Sequence, residues 1–252
     1  MLIFADRDPR PFLEKCIELH ISPEVWLWQE VLDNFEPFDL SWIKEELRGE
    51  GLSLSVHAPW ADLSPGGLDK EVREITKRRF EQALRFCEVL EPENVVFHTG
   101  WYPGVKAEGG FLELWIKRSL EIWSPIFERA KKLGFKISIE NTYEESPNLI
   151  KELIESQEGV GFCLDVGHLN IFGRGDYEKW LNELGDFLTE VHLHDNKGIL
   201  DEHLPLGEGT IDFRKLLSML SPNRSLILTL EVFDLEGLRK SIKFLKELLS
   251  VS

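Results

Sequence analysis

Eight short apolar runs recur along the chain, near 2–5, 24–28, 53–57, 94–98, 135–140, 160–165, 188–193 and 226–231. Most are continuously apolar, the pattern of strands buried on both faces in a parallel sheet covered by helices. Between them, helical periodicity occupies about 9–19, 39–50, 69–91, 110–133, 146–157, 176–185, 213–220 and 234–250. The third of these places Val72, Ile75, Phe80, Ala83, Leu84, Phe86 and Cys87 on one broad face. Gly134 in KKLGFK reads as a helix C-cap that leads into the next strand. Eight strand–helix alternations in 252 residues predict an α/β fold, a (β/α)8 TIM barrel forming one domain over 1–252. A doubly wound open sheet is the competing architecture, but no GxGxxG or GxxxxGK[ST] follows any run.

Composition narrows the class of partner. Formal net charge is -16, from 45 acidic against 29 basic residues. That balance argues against nucleic acid, whose binding draws affinity from Lys and Arg on phosphates. The opening MLIFADRDPRP carries a short apolar run and then charges, so no membrane span or leader is expected and a cytoplasmic protein is the reading. Cys16, Cys87 and Cys163 are odd in number and lack a CxxC pair, which predicts reduced, mostly buried thiols.

Six of the seven histidines lie at or just beyond the ends of the apolar runs, with four carboxylates in equivalent places. They are His57 in SVHAPW, His98 in VVFHTGW, Glu140 in ISIENT, and Asp165 and His168 in FCLDVGH. His192 and His194 follow in VHLHD, Asp201 and His203 in DEHLPLGEG, and Glu231 in LILTLEV. In a TIM barrel, groups at the C-terminal ends of strands converge on one mouth. Imidazole and carboxylate together suit zinc first, with manganese, magnesium, cobalt or iron as other candidates, and there are too many donors for one ion. The expectation is one to three divalent ions per chain. Asp165 alone would read as a helix N-cap, Asp195 as a turn former, and His20, at a helix end, as structural. Gly207, Glu208 and Gly209 read either as site residues or as the shape of a turn.

These motifs resemble the xylose isomerase-like TIM-barrel superfamily, which includes endonuclease IV and many sugar isomerases and epimerases. The resemblance runs from about 53 to 232 and implies two layers. Glu140, Asp165, His192 and Glu231 would surround one ion, with His168 beside the substrate. In the endonuclease-like layer, His57 and His98 would join Glu140 on a second ion, and His168, Asp201 and His203 would hold a third. CLDVGH is similar to CLDTCH, and DEHLPLGEG keeps Asp-x-His and Gly-Glu-Gly; His194 stands where the endonuclease usually has Asn. The opening LIFADRDPRP departs from the endonuclease pattern, and the basic-aromatic loop that grips damaged DNA is missing.

Charge separates two functions. Glu140, Asp165, Asp201 and Glu231 carry four negative charges, and ligand histidines are neutral. One divalent ion leaves the site near -2, suited to a neutral sugar; three bring it to about +2, suited to a phosphoester. The reading leans to a multinuclear phosphoester or phosphodiester hydrolase acting on a small molecule, with Glu140, Glu231 and His168 as catalytic groups. The alternative is a single-metal sugar or sugar-phosphate isomerase or epimerase in which Glu140 and Glu231 shuttle a proton through an enediolate. Trp60 and Trp101 are candidates to wall the substrate, and Lys197 and Arg174 to contact a phosphate.

Overall fold

A computed structural model of the protein describes residues 9–102, 110–220 and 225–250. The first apolar run, 2–5, lies outside them. The other seven runs form strands β1 (Glu24–Trp26), β2 (Ser55–His57), β3 (Asn94–His98), β4 (Lys136–Glu140), β5 (Val160–Asp165), β6 (Leu188–Leu193) and β7 (Ile227–Leu230). Strand order in the sheet is chain order, β1 to β7. This is the succession of a TIM barrel, in which each strand is followed by a helical return. No helix among the described residues is long and apolar enough to cross a membrane.

Internal contacts divide the chain into two compact units, one reaching to Ile139 and including Glu152–Val160, the other built from Glu140–Lys151 and Gly161–Ser252. In the first unit β1 pairs in parallel with β2, and β2 with β3. Val95, Val96 and Phe97 are wholly buried, as a continuous apolar run demands of a strand covered on both faces. The helix Lys70–Leu90 starts where Asp69 accepts a bond from the Glu71 amide, 2.7 Å away, and buries Phe80, Ala83, Leu84, Phe86 and Cys87. Phe80, Phe97 and Trp123 meet with ring centroids 4.7–5.2 Å apart. Losing one such ring costs about 3–5 kcal/mol. Ile75 departs from its predicted face and is exposed. Thr76 turns inward instead, where its hydroxyl donates to the Val72 carbonyl and accepts from the Ser64 amide.

In the second unit β5 pairs in parallel with β6, and β6 with β7. Every residue of β5 is buried. Phe162 stacks on Trp180 beneath this sheet, and Phe213 meets Phe244 edge-on. Gly134 ends the helix Phe111–Leu133 at φ 86°, the left-handed cap that its position predicted. His20 likewise caps Arg10–Leu19 in the left-handed region. Two short helices escape periodicity. Gln29–Asn34 takes over directly after Leu27 and Trp28, so β1 is shorter than its apolar run. Val166–Ile171 begins at the end of β5. Each spans 6 residues, fewer than two turns, too few for an apolar stripe to repeat.

Candidate metal centre

The second unit gathers seven of the predicted donors. Glu140 ends β4, Asp165 ends β5, His192 is the fifth residue of β6, and Glu231 follows β7. His168 sits in the first turn of Val166–Ile171, because the Asp165 carboxylate accepts from the His168 amide at 2.6 Å and caps that helix. Asn141 clamps the same strand end: its amide donates to the Asp165 carbonyl (2.8 Å) and its oxygen accepts from the Asp165 amide (2.9 Å). The Asn of ENT thus has a structural duty that the sequence reading did not assign.

The donors fall into two groups. His192 Nδ1 lies 3.3 Å from Glu231 Oε1, 3.8 Å from Glu140 Oε2 and 3.9 Å from Asp165 Oδ2. Asp201 Oδ2 lies 3.2 Å from His168 Nε2 and 3.1 Å from His203 Nε2. His168 spans both groups, since its Nδ1 is 3.1 Å from Glu140 Oε1. Tetrahedral donors on bonds of ~2.1 Å stand about 3.4 Å apart, so these spacings fit divalent ions. The donor set is imidazole and carboxylate; Cys163 contributes no thiolate because its burial pushes the thiol up. Cys87 is also buried, Cys16 only partly, and all three are free.

His194, two residues beyond His192, is wholly buried and also reaches Asp165. Its placement requires Gly167, where a Cβ would stand 1.9 Å from the His194 ring. Asp195 organises the loop that delivers Asp201 and His203. Its carboxylate accepts from the amides of Asn196, Gly207, Gly209 and Ile211 at 2.8–3.2 Å. Gly209 has no room for a side chain beside that carboxylate, so the Gly-Glu-Gly sequence builds the turn. Glu190 was not foreseen either. It is buried in β6 on the same face as His192, with Oε1 3.6 Å from His192 Nε2, and Thr229 donates its hydroxyl to it. The period-2 spacing from His192 was the available signal.

The electrostatics show what this unit lacks without a cation. Burial lowers the pKa of His168, but Asp165, Asp201 and Glu140 outweigh it and hold the imidazole well above its ordinary value. His203 is raised to about 9, burial being overcome by Asp201 and then Glu231. Burial pushes Asp165 and Asp201 up, yet the neighbouring imidazoles leave both below the usual carboxylate range. The carboxylates recruit protons as counterions, a duty that a divalent ion would take over.

In the first unit His57 and His98 meet edge to face at 4.9 Å. His57 Nδ1 is 2.9 Å from the Ala58 carbonyl, so the tautomer that donates there leaves Nε2 as a lone-pair donor. Trp26 flanks His57, and Trp60 stacks on His98 with centroids 5.3 Å apart. Trp101 instead meets Trp115 edge-on and lines a cavity of about 190 Å³ with Ser64, Leu68, Tyr102 and Phe111. The two candidate phosphate contacts are exposed in the second unit, Lys197 at 3.8 Å from Glu202 and Arg174 at 3.8 Å from Glu145.

The chain is similar to known proteins. A probable endonuclease 4 of Aquifex aeolicus is 25% identical over 221 residues, covering 79% of this chain and 75% of that one. The crystal structure of a D-tagatose 3-epimerase-like protein is 28% identical with a TM-score of 0.81, covering 94% of this chain and 92% of that one. The TTHB071 protein from Thermus thermophilus, soaked with ZnCl2, is 27% identical with a TM-score of 0.80, covering 96% of this chain and 94% of that one. With the sequence profile described as xylose isomerase-like TIM barrel matching residues 16–248, the chain belongs to the xylose isomerase-like TIM barrel family.

Proposed function

We propose that the protein is a divalent-metal-dependent hydrolase of small phosphoesters or phosphodiesters. One observation carries this reading: beside the quartet Glu140, Asp165, His192 and Glu231, a further set closes on Asp201, with His168 and His203 at 3.2 and 3.1 Å. In a single-metal sugar enzyme His57, His98, His168 and His203 would only polarise the substrate, and the full donor set would be redundant. The quartet would hold one ion, His168, Asp201 and His203 another, and His57 and His98 would serve as ligands of an additional one. When bound, such ions, zinc foremost, supply Lewis acidity toward a phosphoryl oxygen and lower the pKa of water toward 7. Glu231 orients the attacking water and takes its proton, while Glu140 and His168 hold donor atoms in register. Trp60 and Trp101 are offered as apolar contacts for the substrate. Lys197 and Arg174 are offered as phosphate contacts that would leave Glu202 and Glu145 to do so. The net charge of -16 directs the activity away from DNA.

The second reading is a sugar or sugar-phosphate epimerase or isomerase, favoured by the likeness to the D-tagatose 3-epimerase-like structure. Glu140 and Glu231 would then pass a proton between them across the quartet. The deciding experiment is the double variant Asp201→Ala/His203→Ala, assayed for zinc content, for bis(p-nitrophenyl) phosphate hydrolysis, and on a panel of ketoses and ketose phosphates. The hydrolase reading expects one ion fewer per chain and nearly complete loss of hydrolysis. Unchanged metal content with lost sugar epimerisation would establish the second reading.

A further inference from the structure

His194 stands within ligand reach of both Asp165 with His168 and Asp201 with His203, yet the function proposed above gives it no role. It is wholly buried. Its Nε2 stands 3.2 Å from each oxygen of Asp165, so one N–H is shared evenly by the two lobes of that carboxylate. Its ring lies flat on His203, centroids 3.9 Å apart and planes 9° from parallel. Gly167 backs it so closely that a methyl group could not be added there. The ring is therefore held in place by Gly167 and His203, and it meets Asp165 of one group and His203 of the other, with Asp201 Oδ1 3.7 Å from Nε2.

Resting on the two-group reading above, we propose that His194 is a positioning residue that sets the Asp165 carboxylate for the inner ion and the His203 imidazole for the outer one. Two arguments favour positioning over ligation. Nε2–H shared between both Asp165 oxygens, with the His168 amide on Oδ1, orients the carboxylate and leaves Oδ2 a lone pair for an ion. A ring stacked face to face on His203 holds that imidazole's plane, which decides where its Nε2 lone pair points. Because one rigid ring contacts both groups, a change in one reaches the other without any movement of backbone.

The test uses the full chain stripped of metal, then titrated with Zn2+ against a chromophoric chelator, and separately with Co2+ while the visible absorption of the bound ion is recorded. His194→Ala should weaken binding of both the inner and the outer ion about 10–100-fold, the usual cost of losing a group that orients a ligand, with stoichiometry unchanged. His194→Asn keeps an N–H donor but not the stacked ring, so it should recover the inner ion's affinity and leave the outer ion weakened. The Co2+ spectrum of the Ala variant should broaden or shift for both ions. Loss of one whole ion in His194→Ala would make the residue a ligand and overturn the proposal. A fall in thermal stability with both affinities unmoved would reduce it to packing and overturn it equally. If the wild-type chain binds a single ion, the two-group reading fails on that count alone. The link to Asp165 is then judged separately, by whether Asn restores the inner affinity that Ala loses.

Discussion

The two compact units surround their histidines with different close neighbours. His57 and His98 sit against rings, Trp26 and Trp60 among them, and meet each other edge to face. His168, His192, His194 and His203 sit among Glu140, Asp165, Asp201 and Glu231. An aromatic ring packs against an imidazole and orients it. A carboxylate wall holds an imidazolium, or a metal ion in its place. The difference shows that position at a strand end makes a histidine available as a donor, while its neighbours decide what it binds when no metal is present.

The sharpest way to break this comparison is to remove one member from each side. Asp165→Ala strips the partner of His168 and His194 and the cap of Val166–Ile171 together. Breaking a buried charged cluster in this way should cost the metal-free protein about 3–5 kcal/mol, whereas His98→Ala removes ring contacts worth about 1 kcal/mol. Urea unfolding in EDTA measures both, and equal losses would erase the distinction.

Proton concentration probes the carboxylate side. His203 is raised to about 9, so its protonated form stabilises the metal-free fold fully below pH 6.5, and that stability is lost as pH rises through 9. The loss should be on the order of 2–3 kcal/mol. Asp165 and Asp201 are lowered, so their contribution is present above the usual carboxylate range and fades as pH falls through and below it. Metal-free stability should therefore be greatest between these limits. Excess Zn2+ should reverse the alkaline slope, since ligands bind only when unprotonated. Thermal melts from pH 5 to 9.5 with and without zinc would show it, and a flat metal-free profile would refute the assignment.

A smaller effect sharpens the role of packing. Gly167→Ala drives a Cβ into the His194 ring and should cost about 1–3 kcal/mol. Gly185→Ala, with nothing within 4 Å and right-handed φ, should be neutral or stabilise by about 0.4–1 kcal/mol. The smallest effect belongs to the surface: Lys131 and Glu158 pair at 3.1 Å but both are largely exposed. Lys131→Ala should change stability by less than about 0.5 kcal/mol by the same urea assay.

Much of this molecule was legible in advance, for reasons that differ by feature. β3 and β5 begin and end where their apolar runs do, because burial on both faces keeps their interiors apolar, and β6 keeps its bounds although it buries Glu190 and His192. The seven donors of the second unit were legible because His, Asp and Glu at such ends have few other duties. Asp165 was read both as a helix cap and as a ligand, and it is a cap as well as a member of the cluster. Glu190 and Gly167 were missed. For Glu190 the sequence offered only its period-2 spacing from His192, and the crowding at Gly167 comes from a residue 27 positions away.

The amino-acid sequence by itself determined the alternation of strands and helices and the identity and order of the candidate donors, since these follow from local periodicity and from the chemistry of single side chains. Only the tertiary structure decided which ring nitrogen faces which carboxylate, that Asp195 gathers the amides of the Gly207–Ile211 turn, and that His194 lies between Asp165 and His203. Those choices depend on strand register and on contacts between distant segments. The energies involved are set by distances of a few ångströms that no local pattern encodes.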